Sequence, residues 1–242
     1  MIVNVCGAQQ GDEGKGRIVD NLARRGSIYG GIRAQGANNA GHTIVHEGVT
    51  YKLHLIPSTV ISGKPGFLGR GMALDLDVLV KEIEGLEKHN IHPGLLIDSR
   101  AHVIMPWHID LDGINEQKMG NRAAGSTGRG VAPVYASKHE RTGIRLETYF
   151  KNYSAVEDLT DLYAQRVAVE RGLNAFSLRK KYSGQIAETR EKVENLQNLM
   201  GDVTGHVYDL LLKGKTFLGE CAQSEMLDVD SPYYHYGSSS ST

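Results

Sequence analysis

The sequence predicts an α/β fold with a mostly parallel central sheet, and three observations support the prediction. An apolar run at residues 2–6 leads into a glycine-rich turn at 7–16, and a helical apolar pattern follows. A second glycine-rich segment, 33–43, directly follows another apolar run. With 242 residues, the chain can also bury a sizeable core. In folds of this kind, ligands bind at the carboxyl ends of the strands.

Composition excludes several classes of protein. The formal net charge is -1, so the sequence shows neither a basic nucleic-acid surface nor a polyanionic tail. Cys6 and Cys221 are too few for a disulfide framework. The chain has no signal segment and no apolar run of about 18 residues. We therefore expect a cytoplasmic protein with neither nucleic acid nor membrane as a partner.

The apolar periodicity predicts the elements of the first 145 residues in order. A helix follows the first turn and ends near Gly26, and Glu47-Gly48 marks a hairpin. The remaining predicted elements are a strand at 27–33, hairpin strands at 43–46 and 50–56, a helix at 76–86, strands at 94–97 and 101–105, a helix at 106–118 and a glycine-rich loop at 121–133.

The character of the sequence changes after residue 145. Between 146 and 212 glycine is scarce, charge is high and helical periodicity dominates, which predicts a helical insertion. A last strand is expected at 216–218, and 237–242 has the composition of a linker. The predicted organisation is an α/β ligand-binding core at 1–145, a helical insertion at 146–215 and a return to the core at 216–242.

The first glycine-rich turn has the composition of a phosphate-binding loop. Glycines let the backbone approach a ligand closely, and Lys15 adds a positive charge. The segment is not a Walker A motif, because Gln9 and Gly16 occupy the positions of its first glycine and its Ser or Thr. Asp12 is then the nearest candidate to hold a metal ion. A plain strand-to-helix turn is the alternative.

The second segment, 33–43, places His42 at a strand end. If this strand lies beside the first, His42 faces the Asp12 loop. A histidine can donate a proton to a phosphoryl oxygen while a carboxylate abstracts one. Because the chain has ten histidines, most of them must have surface or structural roles.

The segment 125–133 is rich in glycine and hydroxyl side chains, and Lys138, Arg141 and Arg145 follow it. These residue types suit a phosphate monoester. A surface loop with solvated charges explains the segment equally well. Gln223 follows the last predicted strand, where its amide could contact a carbonyl or phosphoryl oxygen.

Taken together, these segments resemble the adenylosuccinate synthetase family, in order and spacing over the length of the chain. The resemblance implies a P-loop-like α/β fold. The matching blocks are Gly11-Asp12-Glu13-Gly14-Lys15-Gly16 with Asp20, Asn39-Ala40-Gly41-His42-Thr43, His54-Leu55-Ile56-Pro57-Ser58, Ser126-Thr127-Gly128-Arg129-Gly130 with Pro133 and Tyr135, and Ala222-Gln223 with Leu227-Asp228-Val229-Asp230.

The resemblance implies a C–N ligase of AMP biosynthesis. IMP loses a proton, its 6-oxygen takes the γ-phosphoryl group of GTP, and L-aspartate displaces that phosphate to give adenylosuccinate. By this resemblance Asp12 is the base and a Mg²⁺ ligand, and the Gly41 carbonyl is the second ligand. His42 is the acid, and Lys15 and Gln223 complete the catalytic group.

The resemblance also assigns binding residues. Those for GTP are Gly11, Asp12, Glu13, Gly14, Lys15, Gly16, Arg17, Gly41, His42 and Thr43. Those for IMP are Asp12, Lys15, Asn39, His42, Thr127, Arg141, Gln223 and Ser238, with Arg141 supplied across a homodimer interface.

The chain departs from the family pattern at four positions, of which one, Ser238, is among the residues assigned to IMP. Gln10 stands where the family usually has Trp, Asn38 where it has His, Ser224 where it has Gly and Ser238 where it has Thr. The resemblance also implies a fold that is incomplete at the C-terminus, because the family's aspartate-binding and guanine-binding segments come later. We expect little synthetase activity from these 242 residues alone, and adenylosuccinate formation at family-like rates in a coupled assay would refute this.

Two other functions remain open at this point. One is a non-catalytic nucleotide-binding remnant with intact motifs. The other is a relative that uses (d)GMP to make 2-aminoadenylosuccinate. In that branch the catalytic aspartate is typically replaced, whereas Asp12 is present here.

Overall fold

The computed structural model describes residues 1–120 and 125–242, which contain both strands and helices. The strands are β1 (Ile2–Gly7), β2 (Ile28–Gly36), β3 (His42–His46), β4 (Val49–Leu53), β5 (Gly66–Leu74), β6 (Leu95–Asp98), β7 (His102–Val103), β8 (Met200–Gly201) and β9 (Thr216–Ser224). The helices are α1 (Lys15–Arg25), α2 (Leu76–Glu87), α3 (Pro106–Met119), α4 (Val131–Glu140), α5 (Leu146–Lys151), α6 (Tyr153–Arg171), α7 (Ala175–Val193) and α8 (Val203–Leu212). Within these described stretches, no helix combines the length and the apolar character needed to cross a membrane.

The central sheet is parallel, as the sequence predicts, with the strand order β1-β9-β2-β5-β6-β8 and β7 paired to β5. The expectation that β2 lies beside β1 is wrong. Leu218 of β9 pairs with Val3 on one side and with Gly31 on the other. The connection through α1 therefore spans two strand positions, and the last strand of the chain fills the space between them. The predicted hairpin is confirmed as the antiparallel pair β3–β4.

Helices cover both faces of this sheet. Successive side chains of a strand point to opposite faces. On β9, Leu218 packs against Val19 of α1, whereas Phe217 packs against Val203 of α8. The largest core cluster lies beside the sheet, where Trp107 of α3 stacks on Tyr163 of α6 with ring centroids 5.2 Å apart.

Several element boundaries differ from the sequence-based expectations. Strand β5, which contacts β2, β6 and β7, was not predicted, and β2 continues to Gly36 instead of ending at residue 33. The predicted loop 121–133 ends early because α4 begins at Val131, and residues 121–124 lie outside the described part. Strand β8 lies within the helix-rich segment and pairs with β6.

His108 makes the stability of this fold dependent on pH. The Met105 N–H donates to its Nδ1 at 3.0 Å, and the side chain is buried among aromatic rings. Burial, with a smaller effect of His102, lowers the pKa of His108 to about 3. The unfolded chain, with an ordinary pKa of about 6.5, then binds more protons at intermediate pH.

We therefore expect the free energy of unfolding to fall as the pH drops below about 6.5, by about 1.4 kcal/mol per pH unit for this histidine. His102, whose pKa burial lowers to about 4, acts in the same direction. Urea unfolding at pH 7, 6 and 5 measures the slope. His108→Gln should reduce it and the exposed His92→Asn should not, and equal slopes in all three proteins would contradict the prediction.

Candidate active site

The loop between β1 and α1 has the backbone conformation of an anion-binding turn. Gly11, Asp12 and Gly14 have φ values of 104°, 60° and 76°, in the left-handed region that glycine adopts readily. Helix α1 begins directly after Gly14, and no acidic side chain occupies its first turn. The N–H groups at the start of α1 therefore lie beside the loop, where they favour negative charge.

A carboxylate of the chain itself lies in this loop. Glu13 Oε1 accepts hydrogen bonds from the N–H groups of Gln9, at 3.0 Å, and Gly11, at 3.2 Å. Its Oε2 accepts from Ser224 Oγ at 2.7 Å and from Lys15 Nζ at 3.3 Å. Partial burial opposes ionisation, but these hydrogen bonds outweigh it and lower the pKa of Glu13 to about 2. Lys15 is buried, and its Nζ also donates to Ser224 Oγ, at 3.2 Å.

The segment between β2 and β3 is held on two sides. At its start, the Tyr135 hydroxyl accepts from the Gly36 N–H at 3.0 Å. Further along, His54 Nδ1 contacts the Ala40 carbonyl oxygen at 2.8 Å, and the same ring packs against Gly41. These contacts fix the backbone on both sides of the turn that ends at His42.

His42 is buried and oriented by a carboxylate from another strand. Its Nδ1 is hydrogen-bonded to Glu220 Oε1, and the two oxygens of Glu220 also accept from the Oγ and the N–H of Ser58, each at 2.6 Å. Burial lowers the pKa of His42, and the Arg33 guanidinium and Lys15 act in the same direction against the opposing effect of Glu220. A lowered pKa favours the neutral ring, and because a carboxylate only accepts hydrogen bonds, the proton of a neutral ring lies on Nδ1. Among the described residues, its buried Nε2 has no partner.

The glycine-rich segment 7–16, called the phosphate loop below, is in direct contact with His42. A Cβ added to Gly16, in the first turn of α1, would lie 2.8 Å from the Cβ of His42 and 3.0 Å from Ser58 Oγ. Only glycine permits so close an approach. The Asp12 side chain is exposed on the same loop and makes no hydrogen bond within the described part of the chain. The segment that carries Asp12 thus adjoins His42 at Gly16 without pairing between β1 and β2, and the meeting of the Asp12 and His42 side chains stays a prediction.

Three residues that the resemblance assigns to IMP also lie together. Asn39 Nδ2 donates to Ser238 Oγ at 3.2 Å, and Ser238 Oγ lies 3.4 Å from Ser240 Oγ. Gln223 donates from Nε2 to the Ser241 carbonyl at 2.8 Å and accepts from Ser240 Oγ at 3.2 Å. Gln223 is the last residue but one of β9, the strand that separates β1 from β2, so it lies between the two loops.

The segment 125–130 is tied to this site. Ser126 Oγ and the Gly130 N–H donate to the two carboxylate oxygens of Asp112, at 2.8 and 2.9 Å, and the Arg129 guanidinium donates to the Asn38 carbonyl. Thr127 lies on this segment and is exposed. Residues 125–128 are exposed, so the segment is a surface loop that these hydrogen bonds hold in place, and its role in binding a phosphate monoester stays a prediction.

The basic residues that follow lie elsewhere. Arg141 is exposed at the end of α4. Lys138 and Arg145 line an open groove with Arg70 and His102, and the lining of this groove includes neither His42 nor Gln223.

Sequence reasoning missed the carboxylate that orients His42. Glu220 lies within a strand whose neighbours are mostly apolar, and it is fully enclosed. An acid at a buried strand position signals a partner, but the sequence does not identify that partner. Arg33 was missed for the same reason. It is fully buried, and within the described residues its three guanidinium nitrogens make no hydrogen bond.

A dedicated metal cage is absent from the described residues, where no group of three or more His, Cys, Asp or Glu side chains could hold an ion. Asp12 offers one exposed carboxylate and Gly41, also exposed, one carbonyl. Mg²⁺ is typically bound through one or two carboxylates together with phosphate oxygens and water. This donor set therefore fits Mg²⁺ that arrives with a nucleotide.

Comparison with known proteins identifies the family of this chain. The family model described as adenylosuccinate synthetase matches residues 4–242. Adenylosuccinate synthetases of Acetivibrio thermocellus and Nostoc sp. are 39% and 41% identical, each over 98% of this chain. The chain covers 55% and 53% of those proteins, so it spans about half the length of the curated relatives it matches.

Solved structures give the same result. The fully ligated adenylosuccinate synthetase of Plasmodium falciparum superposes with a TM-score of 0.82 at 31% identity, over 100% of this chain and 55% of that one. The succinoaminodeoxyadenylate synthetase of cyanophage S-2L, bound to dGMP and dATP, gives a TM-score of 0.63 at 21% identity, which is evidence for the fold alone. Since the family model matches nearly every residue, this chain belongs to the adenylosuccinate synthetase family.

Proposed function

We propose that this chain carries the phosphate-binding and phosphoryl-transfer part of an enzyme that ligates L-aspartate to IMP at the expense of GTP, giving adenylosuccinate, GDP and phosphate. The observation that carries the proposal is the contact between Gly16 and His42, which joins the phosphate loop to a buried imidazole. Gln223 lies near the end of β9, the strand between β1 and β2. We place the protein in the cytoplasm, where its nucleotide substrates are present.

Each assigned residue has a role that its surroundings support. Asp12, exposed and without a hydrogen-bonding partner in the described chain, accepts the N1 proton of IMP. Lys15 and the loop N–H groups hold GTP phosphates. Negative phosphate oxygens near Nε2 of His42 favour a positive ring, which Glu220 stabilises, and Nε2 then donates to the transferring group.

Asp12 and the Gly41 carbonyl would hold Mg²⁺, which when bound neutralises negative charge on the nucleotide phosphates. Asn39, Thr127, Gln223 and Ser238 would hold IMP, and the hydrogen bond between Asn39 and Ser238 supports a shared site for two of them.

We further propose a homodimer in which Arg141 contacts the IMP of the neighbouring subunit. Arg141 is exposed at a helix end, and within the described residues no side-chain hydrogen bond or ion pair joins it to the His42 site. An exposed arginine that does not reach its own site is available to a second one.

Calorimetric titration of the 242-residue chain with Mg·GTP tests the proposal. We expect Lys15→Ala to weaken binding about tenfold or more, because a charge-assisted contact to phosphate is lost. Lys118→Ala, which removes an exposed lysine paired with Glu170, should leave affinity unchanged. Titration with Mg·ATP in parallel measures the base preference. If wild-type chain bound neither nucleotide, or if Lys15→Ala bound as tightly as wild type, the proposal would be wrong.

A further inference from the structure

The phosphate loop of this chain holds an anion of its own. The Glu13 carboxylate bonds to two N–H groups of the loop and to the Lys15 ammonium, the kinds of donor that a nucleotide phosphate needs. Lys15 is buried, and its two hydrogen bonds go to Glu13 and to Ser224. These three donors are therefore engaged within the protein.

Ser224 connects the two charged side chains. Its Oγ donates to Glu13 Oε2 at 2.7 Å and accepts from Lys15 Nζ at 3.2 Å, and the residue is fully buried. Packing holds the group in place, since a Cβ on Gly7 would lie 2.3 Å from Ser224 Oγ and 2.4 Å from Glu13 Oε2. Glu13 therefore rests directly on the Gly7 backbone, at the point where β1 runs into the loop.

We propose that Glu13 is an internal competitor for the phosphate site and that the Ser224 hydroxyl sets the strength of this competition. A polyphosphate must displace the Glu13 carboxylate before it can bond to the Gln9 and Gly11 N–H groups and to Lys15. Removal of the Ser224 hydroxyl takes one donor from Glu13 and one acceptor from Lys15, so both side chains become easier to displace.

This inference rests on the proposed function, because it assigns the loop to phosphate. Its test is calorimetric titration of the full chain with magnesium tripolyphosphate, which lacks a base and so reports on the phosphate site alone. We expect Ser224→Ala to bind about tenfold more tightly than wild type, the size of one hydrogen bond to a charged group. Ser62→Ala is the matched control, because Ser62 Oγ donates to the Asp20 carboxylate at the same distance of 2.7 Å.

A second variant tests the proposal independently, in case Ser224→Ala does not fold. Glu13→Gln keeps the shape of the side chain and removes its charge, so it should also bind tripolyphosphate more tightly. In this variant the amide proton resonances of Gln9 and Gly11 should move before any ligand is added, which a merely structural role would not require. Thermal unfolding of each variant confirms that it is folded.

The outcomes distinguish a failure of the proposed competition by Glu13 from a failure of the proposed function. Equal affinity in wild type, Ser224→Ala and Glu13→Gln would overturn the competition and leave the phosphate site intact. Weaker binding by folded Ser224→Ala and Glu13→Gln would also overturn it. If no protein bound tripolyphosphate, the proposed function would fail together with the inference.

Discussion

Replacing Asp12 by asparagine is expected to reduce turnover by about a thousandfold while nucleotide remains bound. General base catalysis typically contributes about 10²–10⁴-fold, and asparagine cannot accept the proton. The backbone should tolerate the change, because Asp12 has a φ of 60° and asparagine adopts this left-handed conformation readily. The loss would therefore be chemical and not conformational.

The measurement is IMP-dependent phosphate release from GTP, in the chain joined to the remaining length of a full-length relative. Mg·GTP affinity of the 242-residue variant is determined separately. Glu47→Gln is the matched control, since Glu47 is also an acid with positive φ in a turn, but it lies in the β3–β4 hairpin. Turnover of Asp12→Asn within tenfold of wild type would exclude Asp12 as the base.

Replacing Glu220 by glutamine is expected to reduce phosphoryl transfer by about a hundredfold or more. A carboxylate only accepts hydrogen bonds, so Glu220 keeps the proton of a neutral His42 ring on Nδ1. Nε2 then stays available to the phosphoryl group in the proposed reaction. Glutamine can donate to Nδ1 instead and so favours the other tautomer. The substitution also removes the negative charge that stabilises a positive ring. In hydrolases with a Ser-His-Asp triad, replacing the acid that orients the histidine strongly reduces turnover.

Proton NMR of the 242-residue chain gives an independent readout. A ring N–H that donates to a buried carboxylate resonates far downfield, and this signal should be present in wild type and lost in Glu220→Gln. Glu82→Gln is the matched control, because Glu82 is also a buried carboxylate that accepts backbone N–H groups, those of His54, Leu55 and Ile56. Unchanged turnover in Glu220→Gln, with the downfield signal intact, would show that Glu220 does not orient His42.

Elements with a strong local pattern could be predicted from the sequence. Helix α2 begins after the capping residue Asp75 and follows an apolar period, and the β3–β4 hairpin turns at Glu47-Gly48. Strand β5 was missed because Gly66, Gly69 and Gly71 interrupt its apolar run. These glycines are required by packing, since a Cβ on Gly71 would lie 2.4 Å from the carbonyl oxygen of Ala34. A local pattern cannot report such a distant contact.

In the candidate site, too, local features could be predicted from the sequence and long-range contacts could not. The phosphate loop and the His42 segment could be identified because their glycines, charges and spacing are local. Ser58 and Glu220, which fix His42, are separated by 162 residues in the chain and came together only through the placement of β9. Each of these residues looks ordinary in its own segment.

The sequence by itself determined the α/β class, the candidate phosphate-binding loop and the residues able to carry charge or protons, since these depend on neighbours within a few positions. Only the tertiary structure decided that β9 separates β1 from β2, that Glu220 holds His42 and that Glu13 occupies the phosphate loop. These features depend on which distant strands pair. That choice is made by burial and hydrogen bonding over the whole core, and no single segment of the chain encodes it.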